Sequence, residues 1–450
     1  MSNTIRIRKG LNIRLLGKAE KIYTKAAMAD TYAVKPTDFP GVIPKMLVKE
    51  GESVKAGTAL FFDKYQPEVM FASPVSGTVQ EIKRGERRRI LEVIIKADTE
   101  ISYEKFEVGD LSSMSAEEVR ENLLKSGLWP SIRQRPYAVI AKPVSKPKSI
   151  FIPCFDTAPL AADPDFLVKD NKEDFQMGVD ALKKLTDGKI NLTLSEDYQG
   201  ADVFTKAKGV EFHRFSGPHP AGSVGVQIHH IDPINKGEIV WYVDPQHVIS
   251  IGKLFKSGHY DASRIVAVTG SEVERPRYYK TFSGVDISAL HANRVKEGSL
   301  RYISGNVLTG TQIESNGYNG YYDSQITIIP EGDDYEFLGW ASPGFGKFST
   351  SRTFWSWLSS GKRYRLNANY HGGERAFVMT GEYEKVLPMD ILPVHLLKAI
   401  LAEDIDKMEQ LGIYEVAEED MALCEFVCTS KIEVQSILRK GIDLMIKELG

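Results

Sequence analysis

Apolar positions in the first hundred residues come in short, strand-length runs, and prolines and glycines interrupt them. Ile5, Ile7, Leu11 and Ile13 alternate with Arg6, Arg8, Lys9 and Arg14. Further on, Val48, Val54 and Leu60 anchor short strands. Gly51 and Gly57 sit where the backbone must turn, which a residue without Cβ does at least steric cost. Asp63 to Pro67 forms a bend, and Ser73-Pro74-Val75-Ser76-Gly77 opens a second half with its own glycine turn. With Pro36, Pro40, Pro44, Pro67 and Pro74 keeping helices short, the pattern predicts a small β barrel built from two halves.

The period changes after Asp110. Ser113 or Ser115 offers an N-cap, Glu117 and Glu118 suit a first turn, and Val119, Leu123 and Leu124 follow at helical spacing until Gly127. Beyond Trp129 to Pro136 and a Pro/Lys stretch from Lys142 to Lys148, the run Ser149 to Phe155 reads as a buried strand. A helix over Asp174 to Leu185 and strands over Ile190 to Leu194 and Gly209 to Phe215 complete the alternation of an α/β layer. A Gly/Pro-rich loop, Ser216 to Gly225, feeds a helical or extended stretch that continues through Gln246 to Phe255. Ile265 to Gly270 is then a strand, Val273 to Tyr279 a proline-bent extension and Val285 to Leu290 a short helix. β character returns over Tyr302 to Gly310 and Gln325 to Ile329, and this third arrangement resembles the soluble-ligand-binding β-grasp (SLBB) module of redox complexes. Pro393 to Leu411 and Met421 to Leu449 have helical periodicity and predict a helical cap.

The expected fold class is therefore multidomain α+β and α/β. The expected units are a barrel-sandwich hybrid over 1–105, a linker helix and α/β domain over 106–258, an SLBB-like β-grasp domain over 259–335, and a mixed segment with a helical domain over 336–450. A chain of 450 residues agrees with several hydrophobic cores rather than one. A hydrophobic fraction of 42% with 26% charged residues is that of an ordinary folded protein, and a net charge of −3 gives no general attraction for nucleic acid. No apolar run reaches eighteen residues, so no membrane span is expected. Met1 to Arg14 lacks the apolar centre and cleavage site of a secretory signal, which points to the cytoplasm. Three cysteines, Cys154, Cys424 and Cys428, make no disulfide framework and fit a reducing compartment.

The barrel pattern resembles the hammerhead of biotinyl and lipoyl carrier domains, where a lysine at a hairpin tip carries the swinging cofactor. Lys64 stands near that place, but Asp63-Lys64-Tyr65 matches only the first half of the lipoyl setting, so a scaffold is preferred over a carrier. Neither dinucleotide nor P-loop glycine spacing is present, and the Ser216 to Gly225 loop reads as a structural turn before an anion cradle. His213, His219, His229 and His230 lie close in sequence, yet on an extended strand His229 and His230 would face opposite ways and no metal motif supports them. Cys424 and Cys428 share a helix face, but an iron–sulfur cluster wants four ligands and only Cys154 remains. Arg84 to Arg89 is a basic turn that would also attract anionic head groups, and the aromatic-rich stretch Phe345 to Leu358 reads as core or as a docking surface. No catalytic residue or metal ligand is assigned, and cofactor-binding residues are unknown.

Ordered matches over nearly the whole chain then suggest a family. They are Ile7 to Leu11, Val48 to Leu60, Ser73 to Gly77, Ser126 to Trp129, Ala161 to Pro164, Gly217 to Gly222, Val307 to Gly310, Asn369 to Arg375, Glu384 to Asp390 and Cys424 to Cys428. Together these resemble the NqrA family, one of the subunits of the Na⁺-translocating NADH:quinone oxidoreductase, a respiratory sodium pump. The resemblance implies a peripheral subunit on the cytoplasmic side of the inner membrane, held by the membrane subunits of the pump. It implies a contribution either to binding ubiquinone or to shaping the membrane subunit that binds it and to complex assembly, with FAD, FMN, riboflavin and iron–sulfur centres in the partner subunits. It also implies likeness to the flavin-bearing subunit of complex I and the cluster-bearing subunit of the Rnf complex, with the scaffold kept and the cofactors absent from this chain. The isolated chain is expected not to be catalytic.

Overall fold

The computed structural model describes residues 4–25, 28–200, 202–292, 294–332, 336–359 and 361–449. Among them, four sheets carry the architecture. The barrel consists of a four-stranded sheet, ordered Thr31–Val34, Ile90–Ala97, Gly77–Arg84, Ser53–Val54, and a three-stranded one, Pro44–Met46, Ala59–Asp63, Met70–Ala72. Phe61 and Phe71, cross-strand partners in the three-stranded sheet, stack with ring centroids 4.6 Å apart, and Phe39 packs on Phe71 at 4.7 Å. Burying three phenylalanines gives this small unit much of its apolar stabilisation.

A seven-stranded sheet forms the α/β layer, in the order Thr4–Arg6, Glu211–Ser216, Lys189–Ser195, Ser149–Pro153, Val240–Tyr242, Arg133–Arg135, Val139–Ile140. The first five are mutually parallel and the last two antiparallel. The chain winds from Ser149–Pro153 outward through Lys189–Ser195 and Glu211–Ser216, then crosses back to Val240–Tyr242 on the other side. That reversal is a topological switch point, the place where a doubly wound sheet opens a crevice at the carboxyl ends of its strands. The helices Lys172–Lys184 and Pro245–Ser257 pack against each other beside it.

The third sheet, Thr311–Ile313, Leu300–Ser304, Gln325–Pro330, Ser263–Thr269, Arg277–Phe282, Glu20–Lys25, is the β-grasp element. Two strands from the first 25 residues thus pair outside the barrel: Thr4–Arg6 extends the α/β sheet and Glu20–Lys25 extends the β-grasp sheet. The alternation at Ile5 and Ile7 is a strand pattern, but nothing in it says which sheet it joins. A capping box at Ser115 starts the linker helix Ala116–Lys125, with Ser115 Oγ accepting from the Glu118 amide and Glu118 accepting from the Ser115 amide.

Three local readings change. The helix read over Val285 to Leu290 is Ser288–His291, because Val285 is drawn into a bridge with Tyr32 and Asp286 accepts the Ser288 amide at its start. The extension read as ending at Tyr279 becomes a strand over Arg277–Phe282 once Pro276 is passed. His229 and His230 lie on the helix Val224–Ile231, not on a strand. The helices Pro393–Leu401, Glu418–Val427 and Val434–Leu449 enclose a separate core around Leu396, Leu397, Met421, Leu438 and Ile442. No helix among the described residues is long and apolar enough to cross a membrane.

Candidate functional site

At the switch point lies a cavity of about 450 Å³. The α/β layer, the β-grasp sheet and the C-terminal helices all contribute walls, and Asp38 from the barrel reaches it too. Strand Arg133–Arg135 places two guanidinium groups on one side of its pleat. Arg133 is held between the rings of Tyr242 and Tyr322, 4.5 Å and 4.4 Å from their centroids. Arg135, with no exposed side-chain surface, donates to Asp420 at 2.7 Å and Glu419 at 2.6 Å. Burial pulls its pKa down, but Asp420 and Glu419 outweigh that and hold the guanidinium charged.

The other walls are acidic and aromatic. Asp244 caps the helix Pro245–Ser257 by accepting the Gln246 amide at 2.8 Å, and burial raises its carboxyl. Asp323 accepts from Ser304 at 2.6 Å, and burial raises it too. Asp38 accepts the Tyr321 amide at 2.8 Å and faces Lys35 at 3.4 Å; burial nevertheless pushes it up to about 6. His247 is 2% exposed and stacks on Tyr321 at 5.0 Å, with no hydrogen-bond partner at either ring nitrogen. Burial, reinforced by Arg264 and Arg133, lowers its pKa far enough to keep the imidazole neutral. A neutral imidazole offers one donor and one acceptor, and at His247, on the cavity wall, both ring nitrogens are buried without a protein partner. His219 is held neutral by burial as well, at about 4, with its Nδ1 3.1 Å from Thr157 Oγ1.

Asp156 lies on the cavity wall, exposed on its open side and within the field of Glu419 and Asp244. Desolvation first, then those two charges, push its carboxyl up to about 6 against the pull of the Ala158 and Thr157 amides. A folded-state value above the ordinary 3.8 means the folded protein binds more protons than the unfolded chain between those two values. This group's contribution to stability therefore falls as pH rises through that window. Asp156→Asn should then stabilise the protein more at about pH 7 than at about pH 4, by about 1 kcal/mol once cavity water is allowed to screen the charge. Urea unfolding at the two pH values measures this, and an equal effect at both would contradict the assignment.

Of the residues singled out by sequence, His219 and its loop neighbours Gly222, Ser223 and Val224 line this cavity, and the other candidate site residues go elsewhere. Lys64 is exposed in the bend between Ala59–Asp63 and Met70–Ala72, its amide bonded to the Ile43 carbonyl at 2.9 Å and its ammonium 5.2 Å from the Tyr65 ring. His213 pairs with Asn191 at 2.9 Å, His229 with Glu415 at 2.7 Å and with the Asp390 amide, and His230 with the Pro388 carbonyl at 3.0 Å. Among the described residues no group of three or more His, Cys, Asp or Glu side chains is placed to hold a metal ion. In the Ser216 to Gly225 loop, the amides of His219, Ala221, Gly222 and Ser223 donate to Asn12, Pro218, Thr157 and Pro220, so none of these four is left for an anion. Cys154, Cys424 and Cys428 are buried thiols, with the Tyr383 hydroxyl donating to Cys428 Sγ at 2.9 Å.

Sequence reasoning missed Arg133, Arg135, Asp156, Tyr242, His247, the Tyr321-Tyr322-Asp323 run and the Glu419-Asp420 pair. The one legible signal was the pair of arginines two apart on a short β stretch, which must point the same way.

Three family models match the chain. The NqrA N-terminal barrel-sandwich hybrid domain covers residues 5–98, the NqrA second alpha/beta domain 114–260, and the NQRA C-terminal domain 265–315. The NqrA-type subunit of the Na(+)-translocating NADH-quinone reductase of Yersinia pestis bv. Antiqua (strain Angola) is 41% identical over 438 residues, 97% of this chain and 98% of its own length. Its counterpart in Neisseria meningitidis serogroup A is 40% identical over 448 residues, 99% of this chain and 100% of its own. The chain belongs to the NqrA family.

The NqrA fold is thus a barrel-sandwich hybrid, an α/β domain and an SLBB-like domain, and NqrA is a subunit of an oxidoreductase complex. A chain of an NAD⁺-reducing [NiFe]-hydrogenase also aligns with 77% of this chain and 67% of its own length, at 10% identity and a TM-score of 0.38, too low to bear on fold or function. In this chain, among the described residues, the switch-point crevice carries Asp38, Asp156, Asp244, Asp323, Glu418 and Glu419 around one lining arginine, Arg133. A dinucleotide diphosphate would meet repulsion there rather than the amides and helix N-terminus that ordinarily hold it.

Proposed function

We propose that this NqrA chain is a peripheral subunit of a sodium-pumping NADH:ubiquinone oxidoreductase, on the cytoplasmic side of the inner membrane and without a redox centre of its own. Its switch-point cavity contributes to quinone binding. The flavins and iron–sulfur centres belong to the partner subunits, and its principal contact is the membrane subunit that forms the quinone site.

The observation that carries this reading is the neutral, buried and unpartnered His247 stacked on Tyr321 in a cavity of about 450 Å³. A quinone head group is a flat, uncharged ring with a hydrogen-bond acceptor at each end. Such a ligand suits aromatic walls and a neutral imidazole donor, and acidic walls do not repel it as they would a phosphate. The relatives' names, which specify a quinone reductase, agree.

A photoreactive quinone analogue cross-linked in the assembled pump tests the proposal. Label is expected on peptides of this chain spanning Arg133, His247 or Tyr321, and His247→Leu is expected to reduce it at least fivefold while the complex still assembles. Label confined to the partner subunits, with no change in His247→Leu, would overturn cavity binding and leave this chain the task of shaping a neighbour's site. Stoichiometric flavin or iron in the purified chain would overturn the absence of a redox centre.

A further inference from the structure

Three of the five tryptophans in the chain, Trp340, Trp355 and Trp357, fall within one short stretch, and all three are exposed, at 79%, 59% and 49%. The other two, Trp129 and Trp241, are buried completely. Phe345 and Leu358, also in the stretch, are exposed at 59% and 64%. From Trp340 to Arg365 the sequence has five cations, Lys347, Arg352, Lys362, Arg363 and Arg365, and no carboxylate, whereas the whole chain is net −3. The cations stand beside rings: Arg352 lies 5.0 Å from the Trp357 ring and Lys347 5.4 Å from that of Phe354.

The base of this stretch is fixed to the body. Tyr364 exchanges backbone hydrogen bonds with the segment Arg14 to Leu16 at 2.7 and 2.9 Å, Phe348 packs on Phe426 at 5.8 Å, and Arg365 forks onto Glu272 at 2.7 and 3.0 Å. The three tryptophan side chains above it stay exposed. So much exposed aromatic surface on a fixed base marks a binding face.

We propose that the Trp340 to Arg365 stretch is a bilayer-contacting surface that seats on anionic phospholipid head groups. Tryptophan rings settle at the level of lipid head groups, and neighbouring lysines and arginines bury their stems while their charges reach phosphate. Lys347 pairs with Glu336 and Arg365 with Glu272, and the excess positive charge of the stretch then lies on Arg352, Lys362 and Arg363, which an anionic leaflet attracts, whereas the centre of a protein interface is depleted of charge. This inference rests on the chemistry of the stretch alone and is independent of quinone at the cavity.

Purified full-length chain, mixed with vesicles of phosphatidylcholine containing about one third phosphatidylglycerol, tests it. Partitioning is expected to be at least tenfold stronger than onto pure phosphatidylcholine, to weaken with salt, and to bring tryptophan quenching by brominated lipid chains. The triple variant Trp340→Ala, Trp355→Ala, Trp357→Ala and the pair Arg352→Gln, Arg363→Gln should each weaken it at least tenfold, with unfolding midpoints unchanged. Arg87→Gln with Arg88→Gln, on the barrel's basic turn, should leave it intact. Absence of partitioning at low salt, or partitioning lost only in the Arg87 and Arg88 variant, would overturn the proposal. So would wild-type partitioning by the tryptophan variant combined with failure to assemble with the membrane subunits, which would make the face a protein-docking one.

Discussion

Arg135→Met is expected to destabilise the protein by about 3–5 kcal/mol, because it strands a buried carboxylate. Arg135 and Asp420 both have 0% side-chain exposure, and their bond joins strand Arg133–Arg135 of the α/β sheet to helix Glu418–Val427 across 285 positions of sequence. Burial raises the Asp420 carboxyl more than Arg135 lowers it, while Arg135 itself gains more from its two carboxylates than it loses to burial. The intact pair is thus close to balance, and the penalty falls on whichever partner is left alone. No room exists for Asp420 to turn away, since even a Cβ on Gly225 would overlap its carboxylate. Arg135→Met combined with Asp420→Asn should recover much of the loss, because asparagine removes the stranded charge and still accepts the Ala417 amide that Asp420 Oδ2 holds at 2.9 Å. Denaturant unfolding of the two variants separates these cases. A loss below about 1 kcal/mol for Arg135→Met would mean that water reaches Asp420.

The same bond shows why part of the molecule was legible and part was not. Barrel strands and the Ser115 helix announce themselves locally, through turn glycines and a capping box within four residues of each other. His219 was singled out by type but for the wrong chemistry, since its neighbours in sequence, His229 and His230, serve to tie helix Val224–Ile231 to Pro388 and Glu415. The cavity draws Asp38, Arg133, Asp156, His247, Tyr321 and Glu419 from distant segments, and each alone reads as an ordinary surface or loop residue. Periodicity reports which side of an element is buried; it cannot report which other element covers it. The family resemblance supplied the assembly of units, while the packing that brings them to one cavity had to be seen. The aromatic stretch was legible as unusual, and only exposure decided between core and surface.

Gly252→Ala should destabilise the protein by about 2–4 kcal/mol, the reverse of what helix propensity alone implies. Gly252 sits inside helix Pro245–Ser257, where alanine would ordinarily gain about 1 kcal/mol. The backbone of the neighbouring helix Lys172–Lys184 occupies the space: a Cβ at Gly252 would overlap the Asp174 carbonyl, and one at Gly178 would overlap that of Val248. Backbone atoms cannot swing aside, so the helices must separate and give up the buried contacts between them. Gly178→Ala should cost a similar amount, and the double variant less than the sum, because the first separation already makes room for the second methyl. Gly441→Ala, within helix Val434–Leu449, is the milder comparison: its Cβ would come nearest to the Ile400 side chain rather than to backbone, so repacking of a side chain suffices and the loss should be smaller than for Gly252→Ala. Helix Pro245–Ser257 also carries His247 into the cavity, so Gly252→Ala should reduce quinone cross-linking while Gly441→Ala leaves it unchanged. Equal unfolding midpoints for Gly252→Ala and Gly441→Ala would show that the helix crossing is looser than its backbone contact requires.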